Sequence, residues 1–289
     1  MLRDILAGTG YSEAYGFSFG NRELEQKFAP GIEPLPLANP LSADMSVLRT
    51  SLVPSMLRSI QWNLNRGVRD VQLFEIGKVY RKDGEYRRLI LGATGALRPK
   101  GIHETERTFN FHDLKGDVEA IIERFNLDVG PASGHESAYY HPGRSACFGE
   151  LAAFGELRQD LAEMLKLRQR IYVAEIDLEA MYRAGKRKVE YAAVGRFPSI
   201  RRDLSLLLDR TTKYADVLET VERSEIPELV RVEPFDRLEK GPFPESKYSL
   251  SISLIYQSNE RTLTDAEIEG FDQRILRLLK ENIGAQLRE

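Results

Sequence analysis

The sequence predicts an α+β protein built in two parts, and three observations lead there. Apolar residues recur at helical spacing in some segments and alternate strictly in others. The final stretch of about 95 residues runs strand–helix–strand–strand–helix–strand, a split βαβ order. The length, 289 residues, suits about two domains at ~100–200 residues each.

The first part opens with a short amphipathic stretch (Leu2, Ile5, Leu6) that stops at Gly8 and Gly10. Ala14 to Phe19 alternates as a strand does. Pro30, Gly31, Pro34, Pro36 and Pro40 then break the chain into loop. Residues 51–66 read as a helix, with Leu52, Met56, Ile60 and Leu64 on one apolar face. Ser51 stands at its N-cap, Pro54 falls in the first turn, where a missing N–H costs least, and Gly67 follows the end. Val71–Tyr80 and Arg88–Thr94 read as strands joined by a hairpin turn at Lys82-Asp83-Gly84-Glu85. Asp113 caps a helix running to Asn126, which lines up Leu114, Val118, Ile121, Ile122 and Phe125. Short strands around Ala146–Phe154 and Ile171–Leu178 flank a helix near Leu161–Leu165. Lys186-Arg187-Lys188 closes this part. A new pattern begins near Tyr191, so the domains are placed at residues 1–189 and 190–289.

In the second part Leu204–Leu208 is a strand, Tyr214–Ser224 a helix and Leu229–Phe235 a strand. Tyr248, Leu250, Ile252, Leu254 and Tyr256 alternate with Ser249, Ser251, Ser253, Ile255 and Gln257. That gives one apolar face and one mostly polar face, and such a polar face is more often wet than a ligand platform. Thr264 and Glu267 set a capping box, and Leu263 with Ile268 a hydrophobic staple. Ile268, Phe271, Ile275 and Leu278 line the buried face of the last helix, and Gly284 ends it. A short strand at Ala285–Arg288 completes a ferredoxin-like βαββαβ order.

Composition excludes several classes. At 42% hydrophobic and 29% charged, the chain is not disordered. One cysteine, Cys147, excludes a disulfide framework and a Cys-rich zinc site, and a reducing cytosolic compartment is the simplest reading. Beside Phe148 it reads as a buried structural thiol. The net charge of −3 lacks the basic excess usual in nucleic-acid binding. No apolar run approaches the ~20 residues of a membrane span, and Met1–Gly10 is no secretory signal. His103, His112, His135 and His141 are scattered, so no metal site is expected. His141-Pro142-Gly143-Arg144 reads as a turn. There is no GxSxG and no GxxxxGK[ST], and Gly8-Thr9-Gly10 is a helix stop. Arg49, Glu75 and Arg144 read as structural ion-pair partners.

One segment stands out. Arg196-Phe197-Pro198-Ser199-Ile200-Arg201-Arg202 sets three arginines and an aromatic around a proline turn. Arginine binds phosphate and stacks on bases, as single-stranded RNA recognition requires. The competing reading is a solvated loop with Arg202 paired to a local carboxylate such as Asp203. Residues 191–289 carry 15 Lys+Arg against 18 Asp+Glu, which favours that reading.

The separated motifs add a resemblance. Residues 191–289 resemble the ferredoxin-fold anticodon-binding domain of phenylalanyl-tRNA synthetases. The matching segments are Arg196 to Leu204, Phe235-Asp236, Ser249 to Ile252, Arg261 to Glu267 and Gly284 to Arg288. Residues 1–189 are similar to the catalytic-like region of the bacterial β subunit. They match at Tyr15 to Phe19, Leu37 to Ser42, Leu48 to Pro54, Asn63 to Gly67, Leu73 to Tyr80, Asp113 to Glu119 and His141 to Ala146. The family often has Phe-Asp-x-Tyr-x-Gly in its last domain, where this chain reads Phe235-Asp236-Arg237-Leu238-Glu239-Lys240-Gly241.

The resemblance implies a class II synthetase-like antiparallel sheet with flanking helices, followed by the ferredoxin-like domain. It implies an α-subunit partner in an (αβ)2 assembly that charges phenylalanine tRNA in the cytoplasm. ATP and magnesium are used by that complex, with no cofactor bound by this chain. Leucine at residue 73 and the lack of a Gly-x-Gly-x-x-Arg stretch leave no cationic groups for the triphosphate, so no catalytic residue is expected. The OB-type, editing and winged-helix-like segments that begin the family are missing, and the chain reads as a C-terminal fragment. The tRNA-binding candidates are Arg196, Phe197, Arg201, Arg202, Arg237 and Arg261, with Arg202 the readiest to be structural. The subunit-interface candidates are Leu48, Arg49, Leu52 and Met56. The alternative is a free-standing paralogue that binds a small molecule or a protein without synthetase activity.

Overall fold

A computed structural model describes residues 1–98, 100–103, 105–189 and 195–288. Tyr191, where the second pattern is expected to begin, lies outside the described residues. The chain divides into two compact units, Met1–Val189 and Glu190–Glu289.

The first unit runs α1 (Leu2–Gly8), β1 (Ser12–Glu13), β2 (Phe19–Gly20), α2 (Arg22–Phe28), β3 (Val47–Leu48), α3 (Val53–Leu64), β4 (Val71–Arg81) and β5 (Gly84–Thr94). It continues with β6 (Ala96–Arg98), β7 (Arg107–Thr108), α4 (Phe111–Arg124), β8 (Ser133–Gly134), β9 (Tyr140–Phe148), β10 (Ala152–Leu157), α5 (Gln159–Met164), β11 (Tyr172–Asp177) and α6 (Leu178–Arg183). Its seven-stranded sheet is ordered β1-β4-β5-β11-β10-β9-β8 and is antiparallel except between β1 and β4.

Strand alternation sends the side chains of that sheet to two faces. Phe74, Leu89, Leu91, Ala174, Ile176 and Phe154 pack with Leu114, Val118, Ile121 and Ile122 of α4. Val71, Val79, Ile90 and Val173 pack on the other face with Val53, Met56, Leu57 and Ile60 of α3. Helix α3 sits close because β5 offers Gly92 beneath it. A Cβ at Gly92 would lie 2.6 Å from Met56 Cγ.

The second unit runs β12 (Ile200–Asp209), α7 (Tyr214–Glu222), β13 (Leu229–Leu238), β14 (Lys247–Tyr256), α8 (Asp265–Ile283) and β15 (Gln286–Leu287). Its sheet is ordered β13-β14-β12-β15. The alternating residues Tyr248, Leu250, Ile252, Leu254 and Tyr256 form one core with Val217 and Val221 of α7 and Ile268, Ile275 and Leu279 of α8. The capping box of Thr264 and Glu267 is present, and Gly284 closes α8 at φ 63°.

Several local readings are corrected. Tyr15 to Ser18 is not strand, and α2 follows where only loop was read, capped by Asn21 through Glu23 N at 3.0 Å and Leu24 N at 3.2 Å. Asn110, not Asp113, is the N-cap of α4, with Asp113 closing the capping box from inside the first turn. Leu52, not Ser51, is the α3 N-cap. Leu279 takes the buried place expected of Leu278, because a 3.6-residue turn carries Ile268 and Ile275 to it. His141–Arg144 lies inside β9 rather than in a turn. Cys147 is half-buried, 3.3 Å from Ser133 Oγ.

Gly92→Ala drives a methyl into Met56 and is expected to cost ~1–3 kcal/mol, read as a lower midpoint in chemical denaturation.

Candidate nucleic-acid interface and partner surface

In the second unit β12 and β14 pair from Ile200–Tyr256 to Asp209–Lys247. Arg201, Asp203, Ser205 and Leu207 therefore share the face turned away from α7 and α8 with Ser249, Ser251 and Ser253. This face is not the open polar surface expected. The three serines are buried. Ser253 Oγ donates to Asp203 Oδ1 at 2.6 Å, and Ser205 and Ser251 hydroxyls meet at 3.0 Å.

What this face does present is Arg201. Its Nε donates to Asp203 Oδ1 at 2.9 Å, and its guanidinium lies 5.5 Å from the centroid of the Phe235 ring. Phe235 is 51% exposed. It stands where β13 slips register between Pro234 and Asp236, a bulge that re-aims a side chain. Hydrogen bonds from Ser253 and Arg201 hold the Asp203 carboxyl below the usual range. A cation beside an exposed ring can stack a base and pair a phosphate.

Arg202 faces the other way. Its Nε is 3.8 Å from Asp272 Oδ2 on α8, and Asp203 belongs to Arg201 instead. Asp272 also accepts from the Tyr256 hydroxyl at 2.9 Å, and burial raises the pKa of both. Arg261 donates to both oxygens of Glu267 and so braces the capping box, while these bonds hold the Glu267 carboxyl well below its usual range. Arg237 donates to Glu239 at 2.8 Å, with its guanidinium 4.5 Å from the Tyr248 ring centroid. Arg196 is exposed. Its loop is held by Gln257 Nε2 donating to the Phe197 carbonyl at 2.7 Å. Arg196, Phe197, Arg201, Arg202 and Arg261 thus gather near the end where β12 begins and β14 stops. Arg237 pairs opposite Leu250, ~20 Å along β14 from Tyr256.

In the first unit Arg49 is 4% exposed. It donates to Glu75 Oε1 at 2.7 Å and to the Lys78 carbonyl at 2.8 Å. A Cβ at Gly77 would overlap Arg49 Nη2. The next residues are held by two carboxylates. Glu25 Oε2 accepts from Thr50 N at 2.7 Å, Thr50 Oγ1 at 3.0 Å and Ser51 N at 3.3 Å. Glu175 Oε1 accepts from Leu52 N at 2.8 Å and Ser51 Oγ at 3.1 Å. Burial raises the pKa of both acids. Arg144 forms an ion pair with the buried Glu156 at 2.8 Å.

The burial of the four interface candidates differs. Arg49, Leu52 and Met56 are enclosed by the chain's own core and present no surface, while Leu48 is half-buried. The exposed apolar groups lie elsewhere. Tyr15 (80% exposed), Phe17 and Trp62 (56%) line a pocket of about 520 Å³ with Ser55, Arg58 and Leu73. Arg66 stacks on Trp62 at 3.6 Å from the ring centroid. Sequence reasoning used Tyr15 to Phe19 and Phe235 only as matching segments and gave neither them nor Trp62 a surface role. Tyr15 and Phe17 lie in irregular chain, Trp62 on the outer side of α3 and Phe235 at the β13 bulge, and residue type alone does not separate an exposed aromatic from a buried one. Among the described residues there is no cluster of three or more groups suited to a metal, and no helix long and apolar enough to cross a membrane.

Comparison with known families follows the division into units. The phenylalanyl tRNA synthetase beta chain CLM domain matches residues 1–178. The ferredoxin-fold anticodon binding domain matches residues 195–288. The chain belongs to the phenylalanyl-tRNA synthetase beta chain family. Phenylalanine–tRNA ligase beta subunits resemble it over its full length. That of Pseudomonas fluorescens is 35% identical over 100% of this chain and 37% of its own length. That of Moorella thermoacetica is 34% identical over 99% and 38%. That of Fusobacterium nucleatum is 30% identical over 100% and 38%. The chain spans less than two fifths of these relatives, and within the family it carries the CLM and anticodon-binding domains.

Arg49→Met leaves Glu75 buried and unpaired and is expected to cost ~3–5 kcal/mol in denaturant unfolding. The double variant with Glu75→Leu should lose less than the sum of the two single changes. Glu175 gives a pH signature. Its folded pKa is raised, so the folded state binds the proton more tightly than the unfolded one. The resulting stability is present below the ordinary carboxylate pKa and is lost as pH rises through the raised folded value. Glu175→Gln should therefore flatten the fall in melting temperature across that window relative to the parent chain.

Proposed function

We propose that this chain supplies the non-catalytic core and the anticodon-binding domain of a phenylalanine–tRNA ligase β subunit. It works in the cytoplasm with a catalytic α subunit in an (αβ)2 assembly, and ATP and magnesium are used by that complex. The observation that carries this reading is Arg201 beside the exposed Phe235 ring, at the arginine-rich end of a domain of anticodon-binding family. Arg201 and Arg196 contact phosphate, and Phe235 stacks on a base. Arg202 and Arg261 are positioning groups, committed to Asp272 and Glu267.

In the first unit the polar seam around Arg49 keeps the fold without supplying a triphosphate site. Tyr15, Phe17 and Trp62 form the surface for the α subunit. Aromatic side chains rimmed by arginine, here Arg58 and Arg66, are the usual anchors of such contacts.

Binding to phenylalanine tRNA and to a tRNA of altered anticodon, at ~150 mM salt where non-specific affinity is weak, tests the RNA reading. A preference for the first is expected. Arg201→Glu should weaken it and lower the salt slope by about one. Arg202→Ala should lower the melting temperature and leave affinity unchanged. Co-expression with an α subunit should yield a stable complex, and Trp62→Asp should reduce its recovery. Equal binding to both tRNAs, or no complex, would remove the corresponding half of the proposal.

A further inference from the structure

One arginine of the second unit differs from its neighbours. Arg201, Arg202, Arg237 and Arg261 are each paired with a carboxylate. Arg196 is exposed, and among the described residues it has no ion-pair partner. A phosphate reaching its guanidinium has no resident acid to displace. Its weakness is its place. Arg196 lies in the irregular segment 195–199 ahead of β12, and a loose loop loses conformational freedom when it binds.

A single hydrogen bond holds that segment. Gln257 Nε2 donates to the Phe197 carbonyl at 2.7 Å, and among the described residues no other hydrogen bond reaches residues 195–199. Gln257 is itself well anchored. It follows β14 directly, and its backbone N donates to the Glu228 carbonyl at 2.8 Å. Tyr256, just before it, is fully buried, with its hydroxyl on Asp272 and its ring centroid 5.5 Å from that of Phe271. Gly195 leaves room for the Gln257 side chain, since a Cβ there would overlap the carboxamide. The carboxamide is therefore seated against the backbone of Gly195 and bonded to the carbonyl of Phe197, and these two residues bracket Arg196. Pro198 adds a fixed φ on the β12 side.

We propose that Gln257 is a positioning residue for tRNA binding. It touches no RNA and acts by holding Arg196 where a backbone phosphate meets it. This rests on the reading of Arg196 as a phosphate contact, and goes beyond it by assigning affinity to a neutral side chain whose only partners are within the protein.

The test is a double-variant cycle on the whole chain, with phenylalanine tRNA as the probe. Gln257→Met keeps the length of the side chain and removes the donor. It should weaken binding ~10-fold, the factor that ordering one loop residue represents, and lower the salt slope by about one. Arg196→Ala should do the same, and the two changes together should do no more than Arg196→Ala alone. Gly195→Ala, which leaves Gln257 intact and fills its seat, should reproduce Gln257→Met. In both loop variants the heteronuclear NOE of the Arg196 amide should fall, a readout that needs no RNA. If the parent chain does not bind the tRNA, or Arg196→Ala binds as the parent does, the phosphate reading fails and the proposal with it. If Arg196→Ala weakens binding and Gln257→Met does not, that reading stands and the proposal alone is overturned. Additive effects of the two changes, or an unmoved NOE at Arg196, leave Gln257 a purely structural role and also overturn it. If Gln257→Met fails to fold, Gly195→Ala decides by the same measures.

Discussion

The first unit depends on the burial of one charge. Arg49 cannot lie in the core without acceptors, and Glu75 and the Lys78 carbonyl on β4 provide them. Its own backbone joins the same knot: Arg49 N donates to Ser18 O at 2.9 Å, and Tyr80 N donates to Arg49 O at 2.9 Å. The turn that follows is fastened from two further directions, by Glu25 on α2 and Glu175 on β11. Four consecutive residues, 49 to 52, therefore bind four separate segments together. The placement of α3 follows from that knot, and the seating of Met56 over Gly92 follows from α3. Buried charges contribute little net stability against an apolar alternative, but breaking one is costly. The knot acts mainly as a constraint on geometry.

Regular elements were legible in the sequence because their apolar residues keep one period over several turns. The α4 and α8 stripes, the β4–β5 hairpin and the β14 alternation are of this kind. Helix α2 was missed because it is only two turns long and lies before a run of prolines. Its signal was nevertheless there: Asn21 as cap, acids at Glu23 and Glu25, and Leu24 four residues before Phe28. The ionic roles of Arg49 and Glu75 were readable from type and surroundings. Partners further apart in sequence were not. Arg202 takes Asp272 rather than its neighbour Asp203, since adjacent strand residues point to opposite faces. The exposed Phe235 depends on a bulge, and a one-residue bulge changes which face a side chain occupies without marking the sequence.

The acidic balance of the second unit also takes on a meaning. Arg201, Arg202, Arg237 and Arg261 each have a carboxylate partner. Those acids cancel the net charge while holding the guanidiniums in extended, ordered positions. An exposed pair of this sort is weak in water. On the proposed RNA reading, a phosphate arriving at Arg201 would exchange with Asp203 at small cost. Bulk charge thus hides the local grouping of paired arginines in this unit.

Gly77 carries no functional group, yet it belongs to the electrostatic knot of the first unit. The space where its side chain would stand is filled by the guanidinium of Arg49. Removing nothing and adding one methyl there would evict a charge from its carboxylate. The residue's contribution is a volume left empty, and it is as restrictive toward substitution as an ion-pair partner would be. A position that reads as neutral in the sequence therefore tolerates fewer replacements than many of the charged surface positions around it.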